Sequence, residues 1–373
     1  MTMKKNYLIA LAATVFVLGV VACSQKDKDV PSDTPSTRAK NISPADEAIY
    51  KLATQYFQPL PTTVEKAENP SNDDKVALGR MLFHDTRLSK SNTLSCNSCH
   101  NLATYGVDNN PVSIGHGWKT GARNSPTVFN AASHFVQFWD GRAADVEEQA
   151  KGPVLNPIEM GSPHAEFVVD RIKHIPDYQK LFAAAFPNEA EPLTYDNLAN
   201  AIGAFERKLL TPSRFDRFLQ GDGSALTADE KAGIKSFVDA GCTTCHLGSN
   251  LGGNMYQKFG LANGPYWKFT GSTGKDEGRF EVTQKESDKY VFKVPGLRNI
   301  TRTYPYFHDG SVWDLNEAVK IMAKTQLNRE LSDQETKSIV TFLQSLEGEI
   351  PALALTLPVL PPAAYGTVKP DLN

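Results

Sequence analysis

Four of the five cysteines fall into two copies of one pattern, Cys96-Asn97-Ser98-Cys99-His100 and Cys242-Thr243-Thr244-Cys245-His246. A thiol, two spacers, a thiol and then an imidazole is the spacing of covalent haem c attachment. The thiols add to the two vinyl groups of the haem. The imidazole reaches the iron because the chain turns tightly at that point. Other chemistries use paired cysteines. A dithiol redox centre calls for a strand–helix–strand setting, which the sequence around these pairs lacks. A zinc ribbon calls for two pairs close in the chain, and these lie far apart. An even count in an exported chain can also signal disulfides, but a histidine follows each pair here. The pattern predicts two covalent haems, with His100 and His246 on the irons.

The opposite ligand decides what such a haem does. A His/Met pair raises the potential and suits electron transfer, whereas a site that opens can activate a small molecule. Candidates after the first motif are His116, His134, His164 and His174; after the second they are Met255, Met322 and His308. Local chemistry does not choose among them. A lone histidine is more often a satisfied core or surface residue, and Met322 shares an apolar stripe with Leu315, Ala318 and Val319.

The elements that must hold these groups read as helices. Helical spacing predicts helices over Ala45–Phe57, Asp73–Phe83, Ala165–Lys173, Pro176–Phe186 and Thr194–Leu209. In the second half it predicts Thr227–Ala240, Val312–Lys324 and Ser332–Leu346, the first opened by Thr227 with Glu230 in a capping-box pattern. Each half thus runs helix, motif, long irregular stretch, helices, with almost no alternating strand pattern. The stretch Asn101–Gly161 is rich in Gly, Pro and Asn and reads as loop. Thr211-Pro212 breaks the pattern between the halves. The fold class is mainly α, with two cytochrome c-like haem domains and long irregular loops.

The chain has 373 residues, 40% of them hydrophobic, and a formal charge of −3. That excludes a collagen, a coiled coil or a broadly basic nucleic-acid binder. Lys4 and Lys5 precede an apolar run from Tyr7 to Ala22, which reads as an export signal. The run ends Val20-Val21-Ala22-Cys23, similar to a bacterial lipobox, so residues 1–22 are expected to leave and Cys23 to carry a lipid. Residues 23–46 are polar and read as a tether.

With these pieces in place, the chain from about Lys51 to Gly366 resembles the bacterial dihaem cytochrome c peroxidases. The resemblance lies in Leu78-Gly79-Arg80-Met81-Leu82-Phe83, both haem motifs, Arg123-Asn124-Ser125-Pro126-Thr127, Phe138-Trp139-Asp140-Gly141-Arg142, Asn156-Pro157-Ile158-Glu159-Met160 and Phe307-His308-Asp309-Gly310. It implies that residues 47–211 hold the peroxidatic haem, that 212–349 hold the electron-entry haem, and that the tail 350–373 packs back on the first domain. By the same resemblance His116 is a distal ligand that leaves when the other haem is reduced; Gly115 and Gly117 beside it suit a mobile loop. Glu159 is the acid/base carboxylate, as heterolytic O–O cleavage needs a group to carry a proton between the oxygens. Gln149 is a polar neighbour of the peroxide, and Trp139 stands between the haems. Met322 is the axial partner of His246, where relatives that mature a tryptophan-derived cofactor have Tyr. Asn124, by its side chain, and Thr303 and Pro305, by their carbonyls, match a calcium site. His308 and Asp309 lie in a loop near the haem propionates. The implied reaction is reduction of hydrogen peroxide to water by a small periplasmic donor, a cytochrome c or a cupredoxin. The implied setting is a periplasmic homodimer whose only membrane contact is the lipid at Cys23. The alternatives are a dihaem electron carrier without turnover and a related oxidase acting on another substrate.

Overall fold

The computed structural model describes residues 41–363 and 369–372. The export signal, Cys23 and all but the end of the tether lie outside the described residues. The described chain is mostly helical. Its first half runs α1 Glu47–Tyr56, α2 Asp73–His84, the one-turn α3 Cys96–Cys99, α4 Val146–Leu155, α5 Ala165–Lys173, α6 Pro176–Ala185 and α7 Tyr195–Glu206. The second half runs α8 Arg214–Leu219, α9 Ala228–Asp239, short α10 Trp267–Thr270 and α11 Phe280–Thr283, then α12 Leu315–Leu327, α13 Asp333–Gln344 and α14 Ala352–Leu355. Strands β1 Tyr256–Lys258 and β2 Val291–Lys293 pair antiparallel, with Gln257 opposite Phe292. None of the described helices is long and apolar enough to cross a membrane.

Helix starts follow from local chemistry. Asn72, Thr194, Thr227, Asp314 and Ser332 each accept a hydrogen bond from the backbone N–H three residues on. Each cap satisfies a donor that the first turn leaves free. At Thr227 and Ser332 the glutamate at the third helical position answers back, completing the capping boxes.

Two cores organise the chain. In the first, α2 crosses α7 and packs on α6, while α4 lies along α7; Leu78, Leu82, Phe83, Phe182, Ile202 and Phe205 fill the space. Ala354 of α14 is buried in this same core, so the segment after Ile350 returns to the first half. In the second, α9 crosses α13, and Phe57, Phe215, Phe237 and Phe342 form an aromatic knot with edge contacts of 5.2–5.5 Å. Helix α1 lies before the first motif, yet it buries Tyr50 and Ala53 in the second core. A sequence boundary at residue 47 therefore does not follow the packing of α1, because its apolar face complements α8 and α9. A third cluster around Phe259, Tyr266 and Phe292 walls the second motif's cleft.

The two helix crossings share a device. At Gly79 a Cβ would stand 1.8 Å from the Ala201 carbonyl oxygen, and at Gly233 a Cβ would stand 2.3 Å from that of Ser338. Only glycine allows backbones this close. Each haem motif thus follows a helix whose glycine is pressed against a later helix of its own half.

Candidate functional site

Both motifs are wound alike. In the first, the N–H of His100 donates to the Cys96 carbonyl at 2.9 Å; in the second, His246 donates to Cys242 at 2.9 Å. One tight turn thereby gathers two thiols and one imidazole. The four thiols are free and half-buried. Burial pushes the Cys96 thiol up and the Cys242 thiol up to about 12, so they are held as neutral thiols.

The residues around the second motif fit a haem. Cys242, Cys245, His246 and Met322 line one cleft of about 250 Å³. His246 donates from Nδ1 to the Leu251 carbonyl at 2.9 Å. That bond fixes the tautomer and leaves the Nε2 lone pair for a metal. Burial holds its pKa below the ordinary imidazole value, which keeps it neutral as a ligand must be. Among the open candidates Met322 lines this cleft and Met255 does not. His308 also lines it, but its Nε2 is 3.2 Å from the Tyr266 hydroxyl and its ring stacks on Phe292 at 4.2 Å.

Around the first motif the fit rests on orphaned imidazoles. His100 and His116 each carry a buried Nδ1 without a hydrogen-bond partner. His164 is exposed at the start of α5, His174 is exposed at its end, and His134 is half-buried against Lys293. His116 is 6% exposed, and its backbone N–H donates to the Glu159 carbonyl at 2.7 Å. The two loops are pressed together: a Cβ on Gly115 would stand 2.0 Å from the Ile158 carbonyl oxygen. The loop carrying Glu159 is anchored by Met160, which is buried in the first core and accepts from the Lys90 N–H at 2.9 Å.

The Glu159 carboxylate accepts from the Asn156 amide at 2.9 Å. Burial raises its pKa, and Arg142 and the Asn156 bond oppose that shift. A carboxyl pushed toward neutrality can both give and take a proton. Gln149 is half-buried on α4, the helix that leads into this loop.

Trp139 ties the two halves together. Its indole N–H donates to the Asn124 carbonyl at 2.9 Å, and its own carbonyl accepts from the Lys293 N–H at 2.7 Å. Its ring lies edge-on to His308 at 6.3 Å. Arg123 clamps the surrounding loops by pairing with Asp140, Asp276 and Glu281. Asn124, Thr303 and Pro305 line the same cleft as Trp139. Two buried charged groups, Glu206 and Lys293, carry no sequence signal. They sit in ordinary helix and strand patterns, and only tertiary packing removes them from water.

Comparison with known proteins agrees with this geometry. Residues 73–224 match the di-haem cytochrome c peroxidase family model, and residues 230–347 match the cytochrome c model. The chain is 47% identical to the cytochrome c551 peroxidase of Pseudomonas aeruginosa over 87% of its own length and 93% of that protein's. It is 36% identical to the methylamine utilization protein MauG of Methylorubrum extorquens, covering 83% of this chain and 88% of that one. Among solved structures, a MauG-like protein associated with microbial copper homeostasis superposes with a TM-score of 0.69 at 31% identity, covering 79% of this chain and 95% of that one. Two haem c motifs wound into matching turns, each beside its own helical core, are thus the frame of a known enzyme group, and the chain belongs to the di-haem cytochrome c peroxidase family.

Proposed function

We propose that this protein reduces hydrogen peroxide to two water molecules with two electrons delivered singly by a small redox protein. The haem irons, when bound, supply the one-electron and ligand-exchange chemistry. The observation that carries the reading is the junction of His116 with Glu159, joined by the 2.7 Å backbone hydrogen bond. A displaceable imidazole and an acid/base carboxylate then belong to one site. His116 caps the first site until its loop moves. Glu159 accepts a proton from one peroxide oxygen and returns it to the other, and Gln149 orients the substrate. Two further protons from solvent complete the two waters.

His246 and Met322 hold the second haem as the electron-entry centre, and Trp139 spans the region between the two sites. The shared lining of one cleft by His246, Met322 and Trp139 supports this division. The donor is a cytochrome c or a cupredoxin. A calcium ion held by the Asn124 side chain and the Thr303 and Pro305 carbonyls fastens the two halves. The Asn124 amide nitrogen donates to the Asn110 carbonyl at 2.9 Å, which leaves Oδ1 as the atom that would serve a cation. We place the mature protein in the periplasm, lipid-anchored through Cys23, as a homodimer.

The test is steady-state oxidation of a reduced small cytochrome c by hydrogen peroxide with substoichiometric holoprotein. Two donors are oxidised per peroxide. Glu159→Gln loses roughly 10²- to 10⁴-fold in turnover, the usual worth of a general acid/base, with haem content unchanged. Equal turnover in the variant overturns the role of Glu159; no turnover in the wild type with several donors overturns the function.

A further inference from the structure

The cleft that holds Cys242, Cys245, His246 and Met322 is lined by one formally charged side chain among the described residues, Lys293; no aspartate or glutamate lines it. Lys293 ends β2 and is 4% exposed. Its ammonium meets two neutral partners, the Val136 carbonyl at 3.2 Å and Nδ1 of His134 at 3.4 Å. An ammonium has three N–H donors, so these partners leave one unused. The carboxylate that acts on Lys293 electrostatically, Asp140, already pairs through Oδ2 with both Arg123 and Arg142. A buried cation without a counter-ion is costly, and native proteins supply an anion. Burial pushes the Lys293 pKa down to about 8, the response of an ammonium whose anion is missing.

His134 completes the arrangement. Burial and the Lys293 charge hold its pKa well below the ordinary value, so it is neutral. Because its Nδ1 faces a donor, its hydrogen sits on Nε2. The Lys293 backbone donates to the Trp139 carbonyl at 2.7 Å, which fixes this cation beside the residue that joins the halves. A cleft that is apolar, without carboxylates and with one buried cation suits a flat apolar ligand that brings its own carboxylate. Haem has that chemistry through its two propionates.

We propose that Lys293, backed by His134, seats a propionate of the haem held by Cys242, Cys245 and His246, and that its charge raises that haem's midpoint potential. The inference rests on this cleft holding the second haem, not on peroxide turnover. A fixed positive charge favours the reduced iron over the oxidised one, and neutralising a propionate removes an opposing negative charge. Methionine ligation and the lysine seat then act in the same direction, toward an easily reduced entry haem.

The test is an optical redox titration of the dihaem holoprotein, with haem content measured on each variant. Lys293→Met lowers the potential of the His246/Met322 haem and moves the other haem less; Lys293→Arg titrates close to wild type. Resonance Raman propionate bending bands of that haem shift in Lys293→Met. An unchanged potential and unchanged propionate bands in Lys293→Met overturn the proposal, as does an equal fall in Lys293→Arg. If Lys293→Met loads the second haem poorly, Lys293→Gln gives the same readouts, and the wild-type propionate band must also shift on exchange into D2O. A wild-type band that does not shift overturns the proposal. Loss of turnover without a potential change bears on the peroxidase reading and counts against this one.

Discussion

Glu206 shows what a single buried residue does to the molecule. It closes α7, is 4% exposed and acts electrostatically on Cys96. Burial alone raises its pKa to about 8. Its unfolded value is near the ordinary glutamate value of 4.5, so between these limits the folded state holds a proton that the unfolded state lacks. Stability is full below the unfolded pKa and falls as pH rises through the folded one, by about 1.4 kcal/mol per pH unit. Glu206→Gln removes that slope. Denaturant unfolding of the holoprotein from pH 5 to pH 8 measures it; identical slopes in variant and wild type contradict the assignment. Asp216 acts in the opposite sense. Arg298 holds it with bonds of 2.7 and 2.8 Å, and its pKa is lowered despite burial. Its contribution is present above the unfolded carboxylate pKa and is lost as pH falls through the folded one. At this scale the sequence was uneven evidence. The haem motifs are legible because their chemistry is local. Glu206, Lys293 and Asp216 are not, because nothing near them in the chain announces burial.

Among the elements, the crossing of α2 and α7 is the tightest test of the packing. Helix propensity alone favours alanine over glycine by about 1 kcal/mol. At Gly79 the Cβ would lie 1.8 Å from the Ala201 carbonyl oxygen, far inside contact, and a backbone cannot yield as a side chain does. Overlap therefore wins, and Gly79→Ala destabilises by on the order of 3 kcal/mol. Thermal or denaturant unfolding with haem content monitored measures this; a neutral or stabilising result contradicts the close approach. The long helices are legible where a cap and a helical apolar stripe agree, as Thr227 with Glu230 opening α9 shows. Helix α4 falls within the stretch that the sequence predicts as loop, since Gly152 and Pro153 fall in its last turns and mask a short stripe. Strands β1 and β2 span three residues each, too short to show alternation. The placement of α1 in the second core depends on which aromatic faces meet, which spacing along the chain does not encode.

For the molecule as a whole, the proposed reaction draws its two electrons through both haem sites. Trp139 bonds to Asn124 of the first half and to Lys293 of the second, so the halves meet at this residue. The returning tail locks the first half: Arg87 donates to the Pro361 carbonyl at 2.8 Å, and Ala354 is buried in that core. Sequence spacing shows two repeated units, but not which ligand belongs to which site. The shared cleft of His246 and Met322, and the His116–Glu159 junction, support the pairing proposed above. The central claim is that an electron stored at the His246/Met322 site changes ligation at the His100/His116 site. The most direct measurement reduces only the high-potential haem of the purified holoprotein with calcium, records its spectrum, and then adds hydrogen peroxide and reduced cytochrome c. The account predicts loss of the second imidazole from the oxidised haem on half-reduction, followed by turnover at two donors per peroxide. A half-reduced spectrum in which His116 stays bound, with no peroxide-dependent donor oxidation, contradicts it and leaves a dihaem electron carrier.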